Sequence, residues 1–231
     1  IKVLRGLYGQ RSKTPFVVMP ISDEDPRLRP MRVAVVQTMR PKLDEFDAKD
    51  PLHWTPAELA AHRRHLAEMC KLTHAQVRAW MTSRSKEVPD ENGEPLVDLV
   101  LFPELSVHPQ HLGFLRRLSD SLKSTIFAGL TFVHSAKAGV VVNQGVWLLI
   151  TQRKGDGRRL VYVRQGKKFP MKDEQKLGIK GHRPDVTLVE FPVGKDGKPT
   201  RVAASICFDA TDLDLVADLR ERSDVFLVAA L

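Results

Sequence analysis

The chain has 231 residues, 42% of them apolar and 28% charged, which is the composition of a globular domain and excludes a disordered chain. Its two cysteines, Cys70 and Cys207, are too few for a disulfide scaffold, and no apolar run reaches the roughly 18 residues of a membrane span. The formal net charge of +8 by itself suggests an acidic partner such as nucleic acid, yet residues 151–184 alone hold 11 Lys and Arg against 3 Asp and Glu, a surplus equal to that of the whole chain.

No signal-peptide pattern opens the chain, so a soluble, cytoplasmic protein is the expectation. Residues 1–30 are Pro-rich and non-periodic, with an acidic turn at Asp23-Glu24-Asp25-Pro26, and read as a linker or the tail of a preceding domain. Arg32–Gln37 is a β-branched run, the first predicted strand. Thr55-Pro56-Ala57-Glu58 is a capping box with Pro at the first helical position. Leu59, Leu66, Met69, Cys70, Val77, Trp80 and Met81 then make one apolar helix face. Residues 82–95, with Asn92-Gly93, form a loop. Val97–Phe102 is a second strand ending at Pro103-Glu104, and His111–Lys123 is helical.

Strands follow at Thr125–Leu130 and Val140–Thr151. Lys154-Gly-Asp-Gly157 turns the latter back into Arg159–Gln165. Thr187–Val193 and Thr200–Cys207 make another hairpin around Asp196-Gly197, and a helix spans about Asp212–Glu221. Asp224–Leu231 is a strand-like apolar run with no turn after it, which suggests a domain lacking its C-terminal part. Parallel-type β–α–β units come first and hairpins later, so the class is α/β with a mixed sheet.

Three positions carry chemistry. Glu104 stands at the end of a buried strand, where open α/β sheets place reactive groups; a solvated loop carboxylate is the alternative. Cys207 ends a buried strand before a helix, a place that activates a thiol, although free cysteines more often just pack. Lys167 and Lys168 close the return strand of the first hairpin, where a solvated basic turn is the reading that the pair alone supports. His62-Arg-Arg-His65 and His108-Pro-Gln-His111 have HxxH spacing but no companion ligands at zinc spacing, so no metal is expected. A nucleophile elbow, a P-loop and a dinucleotide fingerprint are all missing. Cys70, on the apolar helix face, reads as core packing.

In chain order, a Glu after Asp98-Leu-Val-Leu-Phe-Pro-Glu104, a Lys after a hairpin strand and a Cys in Ala204-Ser-Ile-Cys-Phe-Asp209 resemble the nitrilase, or carbon–nitrogen hydrolase, superfamily. Val33–Gln37, Phe127-Ala-Gly-Leu130 and Val142-Asn-Gln-Gly145 are similar to its early strands. Gln165-Gly-Lys167 with Phe169-Pro170 and Glu174 is similar to its lysine motif, and Gly181-His-Arg183 to its next turn. The resemblance spans about residues 31–231, so the expected division is a linker at 1–30 and a truncated nitrilase-like domain at 31–231.

The resemblance implies an α/β four-layer α-β-β-α sandwich and a Glu104–Lys167–Cys207 triad, with Lys168 as the alternative lysine and Glu174 as a second acid. It implies an oxyanion site at the backbone N–H of Phe208, pocket candidates Asn143 and Asp209, no cofactor, and a small amide or nitrile substrate. It also implies a homo-oligomer. Two departures stand out: Lys-Lys-Phe-Pro lacks the family's usual His-Leu after the lysine, and Thr211–Asp214 replaces its usual Arg-Phe-Pro-Glu. Outside Lys167, the basic surplus through Arg183 reads as a solvated hairpin and rim. The alternative reading is a regulatory, assembly or nucleic-acid-associated module of a larger protein, such as an antiphage reverse transcriptase fused to a nitrilase domain.

Overall fold

The computed structural model of the chain describes residues 2–4, 14–22, 25–39, 41–84, 95–135, 139–153 and 157–230. The turns expected at Asp23-Glu24, Asn92-Gly93 and Lys154–Asp156 lie outside these residues. In chain order the elements are β1 (Lys2–Leu4), β2 (Phe16–Pro20), β3 (Arg27–Leu28), β4 (Val33–Val35), α1 (Pro56–Arg84), β5 (Leu99–Val107), α2 (Leu112–Leu122) and β6 (Thr125–Leu130). They continue with β7 (Val133–Ser135), β8 (Val140–Val142), β9 (Gln144–Arg153), β10 (Gly157–Gly166), α3 (Lys172–Lys176) and β11 (Val186–Phe191). The last are β12 (Val193–Gly194), β13 (Thr200–Ile206), α4 (Leu213–Arg220) and β14 (Val225–Ala229).

Ten of these strands build two mixed sheets, in the orders β10-β9-β6-β5-β4 and β1-β2-β11-β13-β14. The β4-β5, β5-β6 and β13-β14 pairs are parallel, with α1, α2 and α4 as their crossovers, because parallel neighbours need a long return. The hairpins β9-β10 and β11-β13 are antiparallel.

Period-two alternation decides the layers. Leu99, Leu101, Phe127, Trp147 and Leu149 face Val189, Phe191, Val202, Ala204 and Ile206 between the sheets. Val100, Phe102, Ile126 and Leu148 point the other way, onto Leu66, Cys70 and Val77 of α1 and Leu115, Leu118 and Leu122 of α2. On the far side, Phe16, Val18, Leu188 and Ala203 pack on Leu215 and Leu219 of α4. Helices thus cover both outer faces, which is the expected α-β-β-α order. Burial on both faces explains why these strands read as unbroken apolar runs. The capping box forms as expected, with Thr55 N donating to Glu58 at 2.7 Å and Glu58 N to Thr55 Oγ1 at 3.2 Å. No described helix is long and apolar enough to cross a membrane.

Three expectations need correction. The first 30 residues are not all linker: β2 lies inside its sheet, paired with β1 and β11, and Phe16 is completely buried. Its apolar run was masked by prolines around it. β5 does not stop at Pro103-Glu104 but runs on to Val107 through a register shift after Phe102. The strand expected over Val140–Thr151 breaks at Asn143, between β8 and β9.

The status of the N-terminal segment can be measured. Phe16→Ala should lower unfolding free energy by about 3–5 kcal/mol, the usual loss for a buried aromatic, in urea titration. A change within about 0.5 kcal/mol, as at a surface position, would return the segment to linker status.

Candidate active site

Each candidate side chain stands at a break in its strand or at the strand's end. Glu104 sits in the irregular stretch of β5, followed by Leu105 in the left-handed region at φ 54°. The Ser106 hydroxyl closes this turn by donating to Pro103 O at 2.7 Å. Gly129 of β6 makes room for it, since a Cβ there would overlap the Glu104 backbone. Asn143 occupies the break between β8 and β9. Its carbonyl accepts from Lys167 N at 3.0 Å, and Lys167 O accepts from His182 N at 2.8 Å. Lys167 is therefore pinned on both sides just past β10. That approach needs glycine twice: a Cβ on Gly166 would strike His182 O, and one on Gly181 would strike Lys168 O.

The side chains converge in a buried network. Lys167 Nζ donates to Glu104 Oε1 at 2.8 Å and to Glu174 Oε2 at 2.6 Å, with all three side chains at most 2% exposed. Asn143 Nδ2 donates to Glu104 Oε1 and Glu174 Oε1, both at 2.7 Å. Met171 N donates to Glu174 Oε2 at 2.6 Å. One ammonium and one amide thus hold two carboxylates together where water cannot. Burial works against the charge on Lys167, but the two glutamates outweigh it and hold the ammonium above its usual range. Burial pushes Glu104 above the usual carboxylate range, against the pull of Lys167.

Cys207 lies at the end of β13 with φ 42°, a conformation rare for a residue with a side chain and costly unless its surroundings impose it. It opens a short 3₁₀ helix, Cys207–Thr211, so the N–H of Phe208 is the first after the thiol. Its sulfur is 3.8 Å from Met171 Sδ, and its thiol is the weakest of the groups that act on the Glu104 carboxyl, favouring its charged form. Glu104 Oε2 is buried and has no hydrogen-bond partner among the described residues. Cys70, by contrast, is buried in α1 against apolar groups that push its thiol up to about 12, which makes it inert packing.

The remaining predicted residues form a second, adjacent cluster. Lys168 turns away from Glu104: its Nζ is 3.3 Å from Asp212 and lies over the Phe169 ring. Asp209, expected at the pocket, is 1% exposed, and its carboxylate accepts from Lys168 N, Phe169 N and Arg183 Nη1 at 2.8–2.9 Å. Arg183 Nη2 also binds Asp212 at 2.7 Å. Arg183 is therefore not part of a solvated rim but a buried clamp tying the lysine loop to the cysteine turn. This bond helps hold Asp212 below its usual value although burial opposes it. The sequence hinted at the clamp only through Arg183 beside Gly181, without naming its acidic partners. No group of described residues is arranged to hold a metal ion.

Comparison with known proteins gives structural matches only. No protein-family model matches the sequence, and no curated protein matches it. Saccharomyces cerevisiae Nit3, a member of branch 10 of the nitrilase superfamily, is similar over 87% of this chain and 64% of its own, at 14% identity and TM-score 0.49. A double mutant of the amidase from Nesterenkonia sp. AN1, in complex with acrylamide, is similar over the same shares at 13% identity and TM-score 0.49. A CN-hydrolase superfamily protein of Xanthomonas campestris with an arsenic adduct in its active site covers 68% of this chain and 58% of its own, at 16% identity and TM-score 0.42. The chain thus spans 64% of the length of the first two.

Two stability measurements follow from the buried charges. Lys167→Met leaves two carboxylates without their cation and should cost about 3–5 kcal/mol at pH 7 in urea titration. Glu104 is raised in the fold above its ordinary 4.5, so it adds stability below that pH and loses it as pH rises through its folded value. The stability of the wild type relative to Glu104→Gln should accordingly fall as pH is raised from 4.5; a gap that widens would reverse the sign assigned to Glu104.

Proposed function

We propose that this chain is a nitrilase-type carbon–nitrogen hydrolase domain that cleaves a small amide or nitrile through a thioester on Cys207. The observation that carries the reading is the buried Glu104–Lys167–Glu174 network beside a cysteine held at positive φ. Such a set is costly to build, and perturbed acids gather where chemistry uses them.

With an amide, Glu104 takes the thiol proton and the thiolate attacks the carbonyl carbon. A base raised above the ordinary carboxylate range suits this transfer, because its conjugate acid can then return the proton to the leaving nitrogen. Lys167, kept cationic, and the Phe208 N–H stabilise the oxyanion of the tetrahedral intermediate. The C–N bond breaks and ammonia or an amine departs. Water, deprotonated by Glu104, then attacks the thioester, releasing a carboxylic acid and restoring the thiol. Glu174 and Asn143 position Lys167 and Glu104 and need not touch substrate. The geometry favours Lys167 over Lys168 for the cationic role, since Lys168 is engaged with Asp212. Asp209 likewise fits the work of holding the lysine loop better than that of lining a pocket.

The test is a panel of aliphatic and aromatic amides and nitriles followed by ammonia release, with mass spectrometry for an acyl adduct. Wild type should turn over at least one member and carry the adduct on Cys207. Cys207→Ala and Glu104→Gln should lose turnover, by about a thousandfold or more for the nucleophile, whereas Cys70→Ser should retain it. Turnover surviving in Cys207→Ala would sink the thioester mechanism.

A further inference from the structure

Three histidines of the two HxxH pairs, His62, His108 and His111, are unexplained by the chemistry above and meet in space beside the turn that carries Glu104. His62 and His65 stand one turn apart on α1, which packs on the outer face of the first sheet. His62 Nε2 is 3.1 Å from Ser106 O. A carbonyl only accepts, so this nitrogen carries the ring proton and Nδ1 is left as an acceptor. His111 Nδ1, 2.9 Å from His62 Nδ1, must then be the donor of that bond. The 2.9 Å contact is a proton-sharing distance that leaves no room for a cation between the rings. Trp54 stands edge-on to His62 and to His108, at 5.6 and 5.1 Å between ring centres, and shields the group.

His65 does the parallel job one strand away. Its Nε2 accepts from Met39 N at 3.1 Å and lies 2.6 Å from Thr38 Oγ1, just past β4. The two histidines of one helix turn therefore hold the C-terminal part of β5 and the segment that follows its parallel neighbour β4.

We propose that His62 is a positioning residue for Glu104: its imidazole N–H holds the Ser106 carbonyl, and so the left-handed turn at Leu105 that aims the carboxylate at Lys167 and Cys207. The chain of contacts is short. His62 holds Ser106, whose hydroxyl closes onto Pro103 O, and Glu104 lies between those two residues. A residue in the left-handed region persists only where its surroundings impose it, and the His62–Ser106 bond is such a restraint. The Ser106 bond needs a proton on Nε2, and the His62–His111 bond, in which Nδ1 accepts, needs the ring neutral. Burial, opposed by the Ser106 bond and assisted by neighbouring His111, His108 and His65, pushes His62 down to about 4. Arg63 acts in the same direction on His111. The proposal rests on the base role given to Glu104 above, and it assigns the long segment between the first two predicted strands a purpose: it delivers His62.

The test uses the whole chain and two readouts. Hydrogen exchange of residues 103–107 by mass spectrometry reads the brace directly. The rate of Cys207 alkylation by iodoacetamide against pH, in a Cys70→Ser background, reads its consequence. His62→Ala should speed exchange in that segment and slow alkylation on the order of tenfold to a hundredfold, the scale of roughly 1 Å misplacement. It should also move the pH midpoint of the rising limb. His62→Gln keeps an N–H donor in place of the ring and should restore both readouts towards wild type. Unchanged exchange in His62→Ala overturns the brace. Faster exchange with wild-type alkylation, while Glu104→Gln slows alkylation, overturns the positioning role. If Glu104→Gln alkylates like wild type, it is the base role that fails, and the exchange result still decides the brace.

Discussion

The structure depends on one buried cation between two carboxylates. Lys167 cannot lie at 1% exposure alone, and neither can Glu104 or Glu174; each is tolerable only because the others are within hydrogen-bonding distance. The requirement reaches far into the fold. It fixes where β5 must kink, where the β8–β9 run must break to free Asn143, and how closely β10 must approach the Gly181–Arg183 turn. Glycines 129, 166 and 181 are the places where backbone has to meet backbone for this to happen. The same triplet is what the proposed chemistry draws on, because burial raises Glu104 above the usual carboxylate range while Lys167 beside it stays charged.

Around this core the other polar groups act as restraints on loops. Arg183, Asp209 and Asp212 tie the lysine loop to the turn at Cys207, and His62 and His111 tie α1 to the turn at Glu104. Both restraints link segments far apart in the chain, so the turns at Glu104 and Cys207 are held by tertiary contacts as well as by their own strands. The basic surplus of residues 151–184 changes meaning accordingly. Lys167, Lys168, Lys176 and Arg183 all have acidic partners within the chain, and two of them are buried. Net charge over a window measured composition, not a surface.

Much of the fold was legible because local patterns were consistent. Apolar runs in Val97–Phe102 and Thr125–Leu130 could only be strands buried on both faces, and Thr55–Glu58 marked a helix start through its own hydrogen bonds. The reading failed where context overrode pattern. Prolines around Phe16–Pro20 hid a strand whose pairing comes from β11, some 170 residues later. Asn143 looked like part of a continuous strand, since nothing local shows that its amide is needed by two acids elsewhere.

The order Glu104, Lys167, Cys207 and the chemistry of those residue types were determined by the sequence itself, because side-chain reactivity and strand periodicity are written in consecutive residues. Which of two adjacent lysines enters the buried site, what Asn143 and Arg183 bind and what the histidine pairs do were decided only by the tertiary structure. Lys167 meets Glu104 across 63 residues, Arg183 meets Asp209 across 26 and His62 meets Ser106 across 44. Contacts at such separations are paid for by burying whole sheets and helices, and no single segment carries that energy in its own composition.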